Sequence, residues 1–597
     1  MIKCIRLVVL VLLPYMALCQ TKINLDKLDA FSTKSQNWSL ASNVNADYTK
    51  TNDLQKTAGT GILACTHELG KYGEEYDLFS TFEHADIDLS FDFMMAAGSN
   101  SGIYFMERYE LQLFDSWGKL APKYGDCGGI YERWDDTKPD GQKGYQGVPP
   151  RVNACKAPGL WQHMDVSFQA PRFDAAGNKI SNAVFLKVIL NGQLIHENVE
   201  VTGTTRGGNT APETSKGRLR FQGDHGSLAF KNIQYSNFDK TSGTISDLKY
   251  KVYYGAYPIE TDLKTLKISN QGNSQDLSWE VSKDANNYVI VITGTYKAPT
   301  AGNYVFDMYA GGHALLNIDG KSVMNNNWNV PANKRSGKIE LSEGTHTFEI
   351  VMNKRDAWVN PGLGLYSSGP GFRAIAHHSL GSLLGSKPTD PILISAKTNT
   401  VLRSFMDVPT IPKTHRVTHA VSVGTASQIH YTYDMDAGAL VQVWRGGFLD
   451  ATPMWDNRGD GSSKPLDVPV FLGIEPTFFK DKLGLKDTIG TAYKPSGYTL
   501  DDADIPTFKY AMFGGSFTDK IYPEEGHMLR RDIQSTDANV TCKLANAKSI
   551  ERLSDTLFAI NDKAYFIRIN IAQDVKILDN KLVASPKNGQ ISYSILY

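Results

Sequence analysis

Three short runs place chemically capable side chains at spacings that suit strands. Arg108, Glu110 and Gln112 alternate with Tyr109, Leu111 and Leu113 inside NSGIYFMERYELQLFD, residues 100–115. Side chains on a strand alternate faces, so a cation, a carboxylate and an amide share one face and apolar groups share the other. Arg218, Arg220 and Gln222 repeat this arrangement around Leu219 and Phe221, and Asp224-His225 follows within a Gly-flanked turn. Glu132 and Arg133 lie between the two runs. Such a face suits a sugar, although any half-solvated antiparallel strand alternates in this way. Two carboxyl groups, here Glu110 and Glu132, are what ordinary glycosidic cleavage needs, about 5–5.5 Å apart for retention or roughly 6.5–9.5 Å for inversion.

These residues must be held by many short strands. The chain has 597 residues, more than one core serves. At ~150 residues per domain about four domains are expected, or three where β domains run larger. Apolar residues make up 41%, and basic and acidic residues nearly cancel, at 62 and 63, which argues against nucleic acid or an anionic membrane surface as the main partner. Asp86–Phe93 alternates without a break, Ala183–Ile195 is a strand run broken by an Asn191-Gly192 turn, and Ser227–Tyr235 is a further strand. Helical periodicity is weak throughout. The expected fold class is mainly β, with a sandwich or jelly roll first.

Residues 1–19 read as a secretory signal: Lys3 and Arg6, the short apolar run Ile5–Leu13, then Ala17 and Cys19. Leu18 is bulky for a lipid anchor at Cys19, so cleavage near Gln20 is the reading. No later apolar run is long enough to span a membrane as a helix. The expected location is secreted, periplasmic or at the cell surface. Of the remaining cysteines, Cys65, Cys127, Cys155 and Cys542, a Cys127–Cys155 disulfide is expected in an exported chain. There is no CxxC pair, phosphate loop, nucleotide fingerprint or HExxH motif, and no metal ligand set is assigned.

The words NSGIY (100–104), RYELQ (108–112), GGIYERW (128–134), PGLWQ (158–162) and FQGDHGSLAFKNIQY (221–235) resemble the 3-keto-disaccharide hydrolase family, in that family's order. The resemblance implies a concanavalin-like (laminin-G-like) jelly roll over residues 20–240 and a route through a ketone at C3 of a glucosyl unit. The ketone makes the C2 proton acidic, a base removes it, and the C1 leaving group departs by elimination, with later water addition giving net hydrolysis. Such a route needs a base, an enolate stabiliser and an acid. Glu110 or Glu132 could be the base, Arg108, Arg133 or Arg220 the stabiliser, and His225 the acid; Gln112, Gln222 and Asp224 complete the substrate-binding set, and Asp115 could orient. The bland readings are a turn cap for Asp224-His225, a structural acceptor for Asp115, and pairing of Arg133 with Asp135 or Asp136. No cofactor is expected; the jelly-roll class leaves room for a structural calcium that no spacing demands.

Residues 245–370 resemble the anthrax protective-antigen type of β-sandwich, through AGNY (301–304), the LLNIDGK turn (315–321) and LSEGTH (341–346). Trp328 and Trp358 could stack on sugar rings, with burial in the core the favoured reading. A linker is read at 371–391 and a C-terminal β-rich module at 392–597, similar to modules of secreted bacterial sugar-active proteins. There Trp444, Arg445, Asp450, Trp455, Arg458 and Asp460 form either a binding surface or a loop held by Arg–Asp pairs. The chain is expected to be a secreted enzyme cleaving glycosidic bonds of 3-keto-glycosides, a carbohydrate being its partner. The alternatives are a lectin-like binding protein and a surface scaffold.

Overall fold

The computed structural model describes residues 20–33, 35–383, 390–410, 413–456, 459–481, 483–484 and 488–597. The signal reading at 1–19, and Arg458, lie outside the described residues. The chain is mainly β, and its contacts divide it into two compact units: Tyr235–Thr389, and Lys22–Gln234 together with Asp390–Tyr597.

The jelly roll of the second unit has two antiparallel sheets. The larger runs in the order Gln193–Val201, Ala183–Leu190, Gln162–Gln169, Asp86–Met95, Leu228–Phe238, Leu54–Cys65, Trp38–Ala46. The smaller runs Phe31–Thr33, Leu78–His84, Gly217–Phe221, Asn100–Phe105, Tyr109–Phe114. Ile87, Leu89, Phe91 and Phe93 are buried at every second position, as the alternation predicts. Asn191 and Gly192 both take positive φ, 52° and 84°, the backbone of a two-residue hairpin turn. Phe105, Phe168 and Phe185 pack between the sheets with ring centroids 5.0–5.4 Å apart.

The hairpin Asn100–Phe114 turns at Met106 and Glu107, which take φ of 56° and 63° without any glycine. That conformation is costly for ordinary side chains and persists only when its surroundings hold it. Here they do. Met106 N–H donates to His84 Nε2 at 3.2 Å, and Arg218 Nε donates to Glu107 Oε1 at 2.7 Å. The hairpin also departs from the half-solvated strand read from its alternation. Both faces of Tyr109–Leu113 are buried, and its edge is paired as well: Gly128 N–H donates to Gln112 O at 2.8 Å and Tyr131 N–H to Glu110 O at 3.1 Å.

The C-terminal residues do not stand apart from the jelly roll. Ala157 and Leu160 share a core cluster with Met528, Ala559, Phe566 and Leu596. Trp117 Nε1 donates to Tyr597 O at 3.0 Å, and Lys231 pairs with Asp562 at 2.6 Å. Within the module, Arg531 and Asp519 form a buried ion pair at 2.5 Å. Trp444 is buried, Asp450 accepts from Thr452 N–H at 2.8 Å, and Arg445 pairs with no aspartate among the described residues.

The other unit is a sandwich of six and four strands, and its Asp319-Gly320 turn forms as the sequence predicts, with φ of 48° and 72°. The stretch read as a linker begins inside it, since Phe372–Ala376 pairs with Leu363–Gly369. Trp328 and Trp358 are not core residues: they are 39% and 74% exposed, and their rings pack at 5.4 Å. The four cysteines Cys65, Cys127, Cys155 and Cys542 are buried free thiols; Cys127 and Cys155 hydrogen-bond to each other without the expected disulfide.

Candidate active site

The register of the smaller sheet assembles the site. Arg220 lies opposite Tyr104, and Tyr104 opposite Glu110, so three adjacent strands contribute one row on one face. The next row holds Gln112 opposite Gly102, whose carbonyl accepts from Gln222 N–H at 3.0 Å. Gly102 leaves room for the carboxyl: a Cβ there would lie 2.4 Å from Glu110 Oε1.

Glu110 is 1% exposed, and its Oε2 has no hydrogen-bond partner among the described residues. Burial pushes its pKa up to about 8; the Tyr104 hydroxyl and Arg220 oppose this, while the Asp77 and Asp224 charges add to it. Glu110 is therefore mostly protonated at neutral pH, which suits an acid better than the base read from sequence. Arg220 Nε donates to Asp77 Oδ2 at 2.6 Å, its Nη1 donates to Gly207 O at 2.9 Å, and its guanidinium lies 4.6 Å from the Tyr104 ring centre. Burial pushes Asp77 up to about 6, against the pull of Arg220.

The turn after the Arg220 strand carries a second pair. Asp224 Oδ1 lies 2.5 Å from His225 Nδ1, and Asp224 Oδ2 accepts from Gly73 N–H at 2.9 Å. Burial raises the Asp224 pKa, but His225, the Gly73 amide and Arg220 outweigh it and the net shift is downward. Gln222 Nε2 lies 3.2 Å from His225 Nδ1, and the exposed Tyr72 packs on the His225 ring at 4.7 Å.

Glu132 reaches the site through the edge pairing of Gly128–Tyr131. Burial and the charges of Glu110 and Glu132 raise the pKa of the Tyr131 hydroxyl. Tyr124 hydrogen-bonds to Glu132, and Arg206 Nη1 lies 3.5 Å from Glu132 Oε1 with its guanidinium 3.8 Å from the Trp134 ring centre.

Three sequence assignments change. Arg108 is a clamp: its guanidinium donates to the carbonyls of Asn209, Ala211 and Pro212 at 2.6, 2.5 and 2.8 Å. Arg133 donates to Thr202 Oγ1 at 2.7 Å and lies 5.2 Å from the Tyr145 ring centre, pairing with neither Asp135 nor Asp136. Asp115 accepts from Gly98 and Trp117 N–H at 2.9 and 3.3 Å, a structural acceptor. The sequence reading missed Tyr104, Asp77, Tyr131 and Arg206. Tyr104 faces Glu110 because three residues, Met106 to Arg108, connect the paired Phe105 and Tyr109. Asp77 and Arg206 come from distant segments with no local signal. Among the described residues no group of three or more His, Cys, Asp or Glu is arranged to hold a metal ion.

No curated protein matches the chain. Among solved structures, two crystal structures described as a "putative glycosyl hydrolase" from Parabacteroides distasonis ATCC 8503 share 20% and 19% identity. Each aligns with 36% of this chain, covering 84% and 100% of theirs, at TM-scores of 0.26 and 0.24. A β-glucosidase from Kluyveromyces marxianus in complex with glucose shares 13% identity over 22% of this chain and 19% of its own, at a TM-score of 0.18. Family comparison is more direct: residues 27–236 are a 3-keto-alpha-glucoside-1,2-lyase-like domain, and residues 248–375 are a PA14 domain.

Proposed function

We propose that the first domain is a carbohydrate-active enzyme that cleaves 3-keto-glycosides by elimination. His225, oriented by Asp224, takes the C2 proton. The electron pair enters the C2–C3 bond, and negative charge develops on the C3 oxygen beside Arg220, whose Nη2 makes no hydrogen bond among the described residues. The C1–O bond then breaks, a C1=C2 double bond forms, and protonated Glu110 gives the departing oxygen its proton. The product is an enone and a free aglycone, and adding water to the enone makes the sum a hydrolysis. Glu132, Arg206 and Trp134 lie where a sugar hydroxyl and ring face could be held. The observation that carries this reading is the buried Glu110 carboxyl, its pKa pushed up by burial, in cross-strand register with Tyr104 and Arg220.

The test uses glucosides with and without a C3 ketone, followed by mass and enone absorbance. Turnover of the keto form alone is expected, with a primary isotope effect when C2 carries deuterium and loss of turnover in Glu110→Gln and His225→Asn. Equal cleavage of the unoxidised glucoside, or no isotope effect under single-turnover conditions, would overturn it. The signal at 1–19 would place the enzyme in the periplasm, at the cell surface or outside the cell.

The PA14 domain supports a second, binding role. Trp328 and Trp358 present exposed indole faces, and Trp328 Nε1 is fixed by Asp356 Oδ2 at 2.9 Å. Aromatic faces suit the C–H face of a pyranose. Retardation of the chain in polysaccharide gels, lost in Trp358→Ala, is the expected result; unchanged retardation excludes this platform.

A further inference from the structure

The described residues of the jelly roll and the C-terminal module line an open cavity of about 130 Å³, remote in sequence from the Glu110 row. Val152, Val468, Pro469 and Tyr597 give it apolar walls. Arg445 and Lys156 line it as well, and neither forms an ion pair among the described residues, although the Asp92 charge acts on Lys156 from further off. Arg445 Nε is buried without a hydrogen bond, one amino group donates to His527 O, and the guanidinium lies 4.9 Å from the Tyr597 ring centre. Among the described residues Lys156 Nζ donates only to Trp161 O, at 3.4 Å. Both side chains are part-buried, and a charge drawn from water without a partner forfeits hydration without return. Arg445 also lines an adjoining cavity of about 260 Å³.

We propose that this cavity binds a small organic carboxylate with an apolar body, the carboxylate resting between Arg445 and Lys156 and the body against Val152, Val468 and Tyr597. Guanidinium groups hold carboxylates by paired, charge-assisted hydrogen bonds. The cavity is of the size that admits a single aromatic ring, since an apolar cavity of about 150 Å³ takes benzene. Inorganic oxyanions would leave the apolar walls unfilled. Asp467 shares the lining, with Oδ2 held by Gly447 N–H at 2.6 Å, and it opposes an anion.

The experiment is titration calorimetry on the full chain with benzoate, with benzamide as its neutral counterpart, and with inorganic phosphate. Benzoate is expected to bind at least tenfold more tightly than benzamide. Arg445→Gln and, separately, Lys156→Gln should each erase most of that preference, and Asp467→Asn should tighten benzoate. If Arg445→Gln does not fold, Lys156→Gln and Asp467→Asn decide. Equal or absent binding of benzoate and benzamide, binding of phosphate in place of benzoate, or a preference surviving in the folded variants overturns the proposal.

Discussion

Replacing Glu110 by glutamine tests the central electrostatic claim. The carboxyl has an ordinary pKa of 4.5 when unfolded and about 8 in its buried place. Below pH 4.5 both states hold the proton, and the site costs nothing on this account. Between 4.5 and about 8 the unfolded chain releases its proton while the folded chain keeps it, so folded stability falls as pH rises. Above that window both states are ionised and the loss levels off. Each pH unit is worth about 1.4 kcal/mol, so the wild type gives up about 3 kcal/mol by pH 7 and at most about 5 kcal/mol by pH 8. Glutamine keeps the shape and the acceptor for Tyr104 but cannot ionise. Urea midpoints of wild type and Glu110→Gln, read at each pH from 5 to 9, should therefore diverge in favour of the variant and then run parallel. Turnover of a 3-keto-glucoside by the wild type should fall above pH 8, and the variant should show none. A midpoint difference that stays flat across the range would refute the reasoning, because it would mean that Glu110 ionises like a solvated carboxyl.

Gly102→Ala should cut turnover at least tenfold and cost about 1–3 kcal/mol in urea unfolding, since the new Cβ would meet Glu110 Oε1 at 2.4 Å. Arg220→Met should cost about 3–5 kcal/mol by leaving Asp77 buried and unpaired, and adding Asp77→Asn should restore much of it in the same assay. Arg108→Gln should speed hydrogen exchange across residues 203–216 by releasing the three carbonyls it holds, while exchange in Asp86–Met95 stays unchanged.

Much of the architecture was legible because strand alternation is local. Asp86–Phe93 needed only its own residues to declare a strand with one buried face. The same alternation put Glu110 and Gln112 on one side correctly, but it misjudged their surroundings, and Arg108 falls in the turn before the strand. Periodicity says which residues share a face and not what covers it. Nor does it show that Gly128–Tyr131, many residues away, pairs with the strand edge. Arg108 illustrates the cost: its parity in the sequence suggested the site, yet it lies in the turn and three loop carbonyls hold it. Trp328 and Trp358 failed in the opposite sense, since large aromatic residues are usually buried and these two are displayed.

By itself the sequence determined a mainly β chain, the jelly roll, the PA14 sandwich and the shared face of Arg220, Gln222, Glu110 and Gln112, because each follows from local pattern or from family words. Only the tertiary structure decided that Tyr104 stands between Arg220 and Glu110, that Asp77 holds Arg220, that Arg206 reaches Glu132, and that the C-terminal module packs on the jelly roll. It also decided that Glu110 keeps its proton. Those outcomes depend on which distant segments exclude water from a given side chain, and desolvation is a property of the packed surroundings that no residue carries in its own neighbourhood of the chain.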